Sequence, residues 1–186
     1  MNNYLGLVHH PIVNKKGETV TTSVTNLDIH DISRSCKTFG FANYFIVTPL
    51  QKQKELISRL LGHWEEDKAL AYNPDRQDAL EIARLVDSIE DAISAIEEKE
   101  GVRPLVAVTG ANFTQCSGGV SLLNEKKKID KRPMLLLFGT GWGLHSSVVE
   151  MADFLLEPII GDKGNDYNHL SVRSAVAIYL DRITNQ

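Results

Sequence analysis

The chain has 186 residues, 42% of them hydrophobic and 24% charged, a balance that suits one soluble globular domain and excludes a many-domain array or a disordered chain. Lysine plus arginine number 20 against 24 aspartates plus glutamates, so the net charge of −4 excludes a globally basic nucleic-acid coat. The charge is nevertheless segregated: residues 1–64 and 101–132 are net basic and residues 65–100 strongly acidic, either a solvated acidic face or one turned away from a bound polyanion.

The first apolar run, Tyr4 to Val8, reads as a buried strand. Thr25 to Asp28 can cap a helix whose stripe is Ile29, Ile32, Cys36 and Phe39, stopped by Gly40. A strand over Tyr44–Val47 and a helix from about Gln51 to Leu61 follow, then a strand over Ile82–Val86. Ser88-Ile89-Glu90-Asp91 is a capping-box pattern, and Ile89, Ala92, Ile93 and Ile96 recur at helical spacing, which predicts a helix over 88–100 ending at Gly101. Further strands are expected at Leu105–Val108, Met134–Phe138 and Phe154–Ile159. A last helix carries the stripe Val172, Ala175, Val176, Tyr179, Leu180 and Ile183. Strands apolar at every position are covered on both faces, so the alternation predicts an α/β fold with a largely parallel sheet flanked by helices. No linker or repeat divides the chain, and residues 1–186 are read as one domain.

Other classes are disfavoured by the residues. Cys36 and Cys116 lack ligand-like spacing and are expected to be reduced and buried. The histidines show no metal-site spacing, so no metal is expected. Residues 104–124 carry no formal charge but are too polar to span a bilayer, so no membrane partner is expected. The first residues lack the basic region of a secretory signal, which points to the cytoplasm.

Chemistry concentrates after the strand Met134–Phe138, where Gly139-Thr140-Gly141-Trp142-Gly143-Leu144 leaves backbone amides uncovered at a strand's carboxyl end. Leu144 stands where the dinucleotide fingerprint needs its third glycine, so a nicotinamide or flavin site is disfavoured. A tight turn requiring positive φ is the competing explanation of the glycines. Thr109-Gly110-Ala111-Asn112 and the polar stretch Gly161 to His169 also follow strands, and three loops at one sheet edge would form one pocket. Asn168 and Ser171 either cap the last helix or offer hydrogen bonds to a ligand. Trp142 and Tyr167 either stack on a base or wall the pocket, and His9 and His10 sit at a strand end beside the same cleft.

The segments Phe138–Leu144, Glu157-Pro158-Ile159 and Tyr167–Ala175, in that order, resemble a bacterial family of RNA methyltransferases in the SPOUT superfamily. Arg34–Gly40 following Asp28 resembles the superfamily's first motif. The resemblance implies a deep C-terminal trefoil knot within a cofactor-binding part of about 104–186, S-adenosylmethionine bound on the knot loops, and an obligate homodimer. It also assigns residues. Gly139, Thr140, Gly141, Gly143 and Leu144 would wrap the cofactor, with Ile159 and Gly161 in a second loop and His169, Leu170, Ser171 and Val172 in a third. Thr109 and Gly110 would line the pocket from the preceding strand end. Arg34 and Asp28 become the catalytic candidates. Arg34 points away from its own helix's apolar stripe and is suited to phosphate, or it pairs with Asp31. Arg34, Lys126, Lys127, Lys128 and Arg173 are candidate RNA contacts; the alternatives are a solvated helix end for the lysines and a surface position for Arg173. Departures from the superfamily include Asp28 where the 2′-O-methylating branch carries asparagine, no acid in the glycine loop, and His169 where many relatives have asparagine. They leave ribose oxygen, base nitrogen and base carbon open as the methylated atom. The expected function is methylation of tRNA or rRNA, the alternative a catalytically silent module that binds an adenosyl ligand or RNA.

Overall fold

The computed structural model describes residues 2–63, 74–162, 164 and 167–185. Part of the acidic stretch and residues 163, 165 and 166 of the polar loop lie outside the described residues. The strands are β1 (Asn3–Val8), β2 (Ile12–Val13), β3 (Thr19–Val20), β4 (Asn43–Val47), β5 (Ala83–Val86), β6 (Leu105–Val108), β7 (Met134–Gly139) and β8 (Phe154–Leu155). Six of them form one sheet in the order β5-β4-β1-β7-β6-β8, with every pairing parallel, and β2 and β3 form a separate antiparallel hairpin. The helices are α1 (Asn26–Thr38), α2 (Gln51–His63), α3 (Pro74–Leu80), α4 (Ile89–Glu100), α5 (Val120–Asp130), α6 (Ser146–Glu150) and α7 (Val172–Asn185).

The uninterrupted apolar runs are explained by two cores, one on each sheet face. Leu5, Leu7, Tyr44, Ile46, Leu136 and Phe138 pack with α1, α2, α5 and α7. Tyr4, Val8, Phe45, Val47, Leu135 and Leu137 pack with α4 and Val148 of α6. Alternate side chains of one strand thus serve opposite cores, as parallel sheets require.

The predicted caps form. Thr25 accepts the amide of Asp28, Ser88 and Asp91 make the reciprocal box, and Gly101 closes α4 at φ 75°. Among the strands, two readings change, and helices α3, α5 and α6 are further elements outside the sequence reading. The run after Asp153 pairs only over Phe154–Leu155, with a single bridge from Leu156 to Gly118, because Pro158 has no amide to continue a ladder and the chain leaves the sheet. The second change is the β2–β3 hairpin, absent from the sequence reading. Its turn is held by Asn14, whose Oδ1 accepts the amides of Lys16 and Glu18, with Gly17 at φ 77°. Cys36 is fully buried, but Cys116 is only half-buried.

Candidate functional site

Connections leave β1 and β7, neighbours in space, toward opposite faces of the sheet, which opens a crevice at their carboxyl ends. A pocket of about 750 Å³ lies there, within the range of small-molecule sites. Its base is the glycine-rich loop. A Cβ on Gly139 would stand 2.9 Å from Leu144 Cγ and 3.0 Å from its amide nitrogen, so glycine lets the chain fold back this tightly with no shift of the turn. Gly141 and Gly143 hold φ of 59° and 116°, in the region where side chains are strained. Both readings of the glycines are therefore satisfied: they make the turn, and the turn bares main chain to the pocket.

The hairpin staples this loop in place. Val13 donates its amide to Gly143 O at 3.0 Å, His145 donates to Pro11 O at 3.2 Å, and Ile12 bridges Leu144. The loop after β6 contributes Thr109 to Phe113, and the segment after β8 contributes Ile159 and Asn168 to Leu170. Asn168 ties its own segment, donating to Ile159 O at 3.0 Å and accepting from Gly161 N at 3.0 Å. Tyr179 of α7 donates to Glu157 O at 2.6 Å. Ser171 accepts the amide of Ser174 at 3.2 Å, the capping arrangement at the start of α7.

Eleven of the thirteen residues assigned to the cofactor line this one pocket: Thr109, Gly110, Gly139, Thr140, Gly141, Gly143, Leu144, Ile159, His169, Leu170 and Val172. Gly161 and Ser171 lie beside it, engaged in the bonds just described. Sequence reading missed Thr22, Ser23, Thr25 and Phe113 as lining residues. The polar run Thr21-Thr22-Ser23 carried a faint signal, legible only with the hairpin in place. Phe113 is fixed by Gly110, whose Cβ would collide with its ring at 2.6 Å.

Asp28 lines the pocket from the first turn of α1 and is the only formally charged side chain among the described lining residues. Thr25 donates its hydroxyl to Asp28 Oδ2 at 2.6 Å. Arg173 reaches across from α7, with Nε 3.4 Å from Asp28 Oδ1 and Nη1 3.3 Å from Asp31 Oδ2. Asp31 thus pairs with Arg173 and not with Arg34, and the guanidinium of Arg173 joins two helices. Arg34 is exposed, has no ion-pair partner among the described residues, and does not line the pocket of its own chain. Lys126, Lys127 and Lys128 are not brought to the pocket. They lie in the second half of α5, which starts near the pocket edge and runs back toward the start of β7. Burial lowers the pKa of Lys127. Trp142 is 59% exposed at the pocket rim and Tyr167 69% exposed.

His9 is fully buried at the end of β1. Its pKa is pushed down to about 4 by burial, against the opposing pull of the Asp28 charge. Nδ1 lies 3.1 Å from Thr22 Oγ1, Thr22 is in close contact with Thr140 Oγ1, and Thr140 donates to Val8 O at 3.1 Å. Among the described residues, no group of three or more side chains is placed to hold a metal, and no helix is long and apolar enough to cross a membrane.

The parallel sheet and the glycine-rich pocket at its strand ends define an α/β protein with a crevice for a small molecule, and the family can be stated. Residues 2–185 match the family of SAM-dependent RNA methyltransferases, and the chain belongs to it. It is 44% identical over 182 residues to a tRNA (guanine-N(1)-)-methyltransferase of Oleidesulfovibrio alaskensis, covering 98% of this chain and 42% of that protein. It is 38% identical to a protein of Aquifex aeolicus, covering 98% of this chain and 88% of the relative. The fold matches the SpoU methyltransferase AviRb of Streptomyces viridochromogenes, solved with AdoMet, at a TM-score of 0.58 and 15% identity, over 98% of this chain and 57% of that one. The chain spans about two fifths of the tRNA methyltransferase it matches. The pocket fits the family's cofactor in volume and in its glycine cradle.

Proposed function

We propose that this chain transfers the methyl group of S-adenosylmethionine to a nucleotide of RNA, with tRNA the substrate class favoured by the names of its relatives. The observation that carries the reading is the convergence of three strand-end loops on one pocket of about 750 Å³ floored by main chain. No lysine or arginine is among the described lining residues, which disfavours the phosphates of a dinucleotide. When bound, the cofactor supplies an electrophilic methyl carbon.

The chain's own part is to position and to manage a proton. Holding two reactants in line is worth roughly 7 to 11 kcal/mol, and the pocket residues that follow β6, β7 and β8 are assigned that task. Asp28 is the carboxylate that takes a proton from the nucleophile; the guanine N1 named for the relatives carries one that must leave. Arg34 faces away from its own pocket and is assigned to the pocket of a partner in a homodimer, where its fork of donors holds phosphate. Exposed Ile160, Tyr167 and Leu170, together with Leu27 at the start of α1, supply apolar surface for that contact. The reading treats residues 1–186 as one cytoplasmic domain and includes a C-terminal trefoil knot. Its support is the family and the return contacts of Tyr179 and Asn168. The lysines of α5 and Arg173 serve RNA, Arg173 through its hold on α1.

A silent adenosyl binder is the second reading, favoured by the absence of an acid in the glycine loop and by the pairing of Asp28 with Arg173. The test has two stages. S-adenosylmethionine at 100 times its dissociation constant is expected to stabilise the protein by roughly 2.7 kcal/mol, whereas stabilisation by NAD alone refutes the site. Labelled cofactor and unmodified total RNA then separate the readings: transferred label supports the enzyme, and tight binding without transfer supports the silent module.

A further inference from the structure

Proton accounting along the His9 relay fixes what the pocket offers its ligand. Val8 O can only accept, so the single hydroxyl proton of Thr140 is spent on it. Thr22 must then donate to Thr140, which leaves Thr22 no proton for His9. His9 therefore donates from Nδ1 to Thr22, and Nε2, which has no partner among the described residues, carries the lone pair. The protons run one way, from His9 to Thr22 to Thr140 to Val8. Thr22 and Thr140 both line the pocket, and with its proton spent in the relay each hydroxyl has only a lone pair left to offer. Asp28, which also lines the pocket, adds a carboxylate that accepts from Thr25 and has Arg173 Nε 3.4 Å from its Oδ1, and it carries the only formal charge among the described lining residues.

We propose that Thr22, Thr140 and Asp28 form an acceptor-only corner that grips an N–H-bearing amine or ammonium group of the ligand, with His9 the positioning residue that sets the corner's polarity. The chemistry fits two sources: the α-ammonium of the cofactor's amino-acid tail, or the ring and exocyclic N–H groups of the target base. The relay leaves Thr22 and Thr140 no proton to give a phosphate or carboxylate. The inference rests on the proposed function for the identity of the ligand, and on the hydroxyl relay alone for the corner's polarity.

The experiment uses the full chain with His9→Asn and His9→Gln. The Asn amide reaches the place of Nδ1 and can donate to Thr22; the Gln amide reaches the place of Nε2 and cannot. With the ammonium as the gripped group, S-adenosylmethionine keeps its affinity in the Asn variant and loses roughly tenfold or more in the Gln variant, while methylthioadenosine, which lacks the tail, binds all three proteins alike. With the base as the gripped group, both compounds bind all three alike, and KM for RNA rises in the Gln variant only. Asn and Gln variants that behave identically, or a loss shared equally by every ligand, overturn the proposal. Long-range proton–nitrogen NMR of the wild type supplies a readout that does not need the ligand: an Nδ1–H tautomer for the resonance missing in His9→Asn is expected, and an Nε2–H tautomer overturns the relay. Wild-type protein that binds neither adenosyl compound but shows the Nδ1–H tautomer fails the proposed function and keeps the corner.

Discussion

A buried imidazole held near pKa 4 makes His9 a source of acid sensitivity. The unfolded chain binds its proton near pH 6.5 and the folded chain only near 4, so between these values the unfolded state holds more protons and stability falls as pH falls. At about 1.36 kcal/mol per unit, acidification from pH 7 to 5 costs about 2 kcal/mol through this group. Urea melts at both pH values are expected to show that loss in the wild type and not in His9→Asn; equal slopes would assign the effect to other groups. In the sequence, His9 was a histidine beside a cleft and no more. Its relay joins β1, residue 22 and residue 140, which are distant in the chain and meet only in the fold.

At the scale of elements, the glycine-rich turn after β7 and the β2–β3 hairpin act as one unit, with Gly141 packed on Ile12 and Thr22. Gly139→Ala places a methyl group against the backbone of Leu144, which a side-chain rotation cannot relieve. The expected outcome is at least a tenfold loss of cofactor affinity by calorimetry, with about 1–3 kcal/mol of stability lost; unchanged affinity would remove this turn from the site. The turn was legible in advance because three alternating glycines after an apolar run have few other uses. The hairpin was not, since two-residue strands give no periodicity. Helices α1, α4 and α7 were legible from stripe and cap, because both are local. The run after Asp153 misled because apolarity says a segment is buried, not that it is paired.

For the whole molecule, the exposed position of Arg34 predicts sites shared between protomers. Mixing Arg34→Ala chains with Gly139→Ala chains, at a cofactor concentration too low for the latter to bind, is expected to restore methyl transfer, because one of the two pockets in the proposed mixed dimer is then complete. Mixtures that stay inactive while heterodimers form would place Arg34 in its own chain's mechanism. The sequence by itself determined the longer strands, helices α1, α2, α4 and α7, the caps of α1 and α4, the two-sided burial of the sheet and the family, since each depends on neighbours in the chain or on motifs kept in order. Only the tertiary structure decided that Arg173 takes Asp28 and Asp31 while Arg34 stays free of Asp31, that the α5 lysines lie away from the pocket, and that the hydroxyls of threonines 118 residues apart come into contact. Ion pairs and hydroxyl relays are set by distance through space, and the path of the chain between their members leaves no periodic trace.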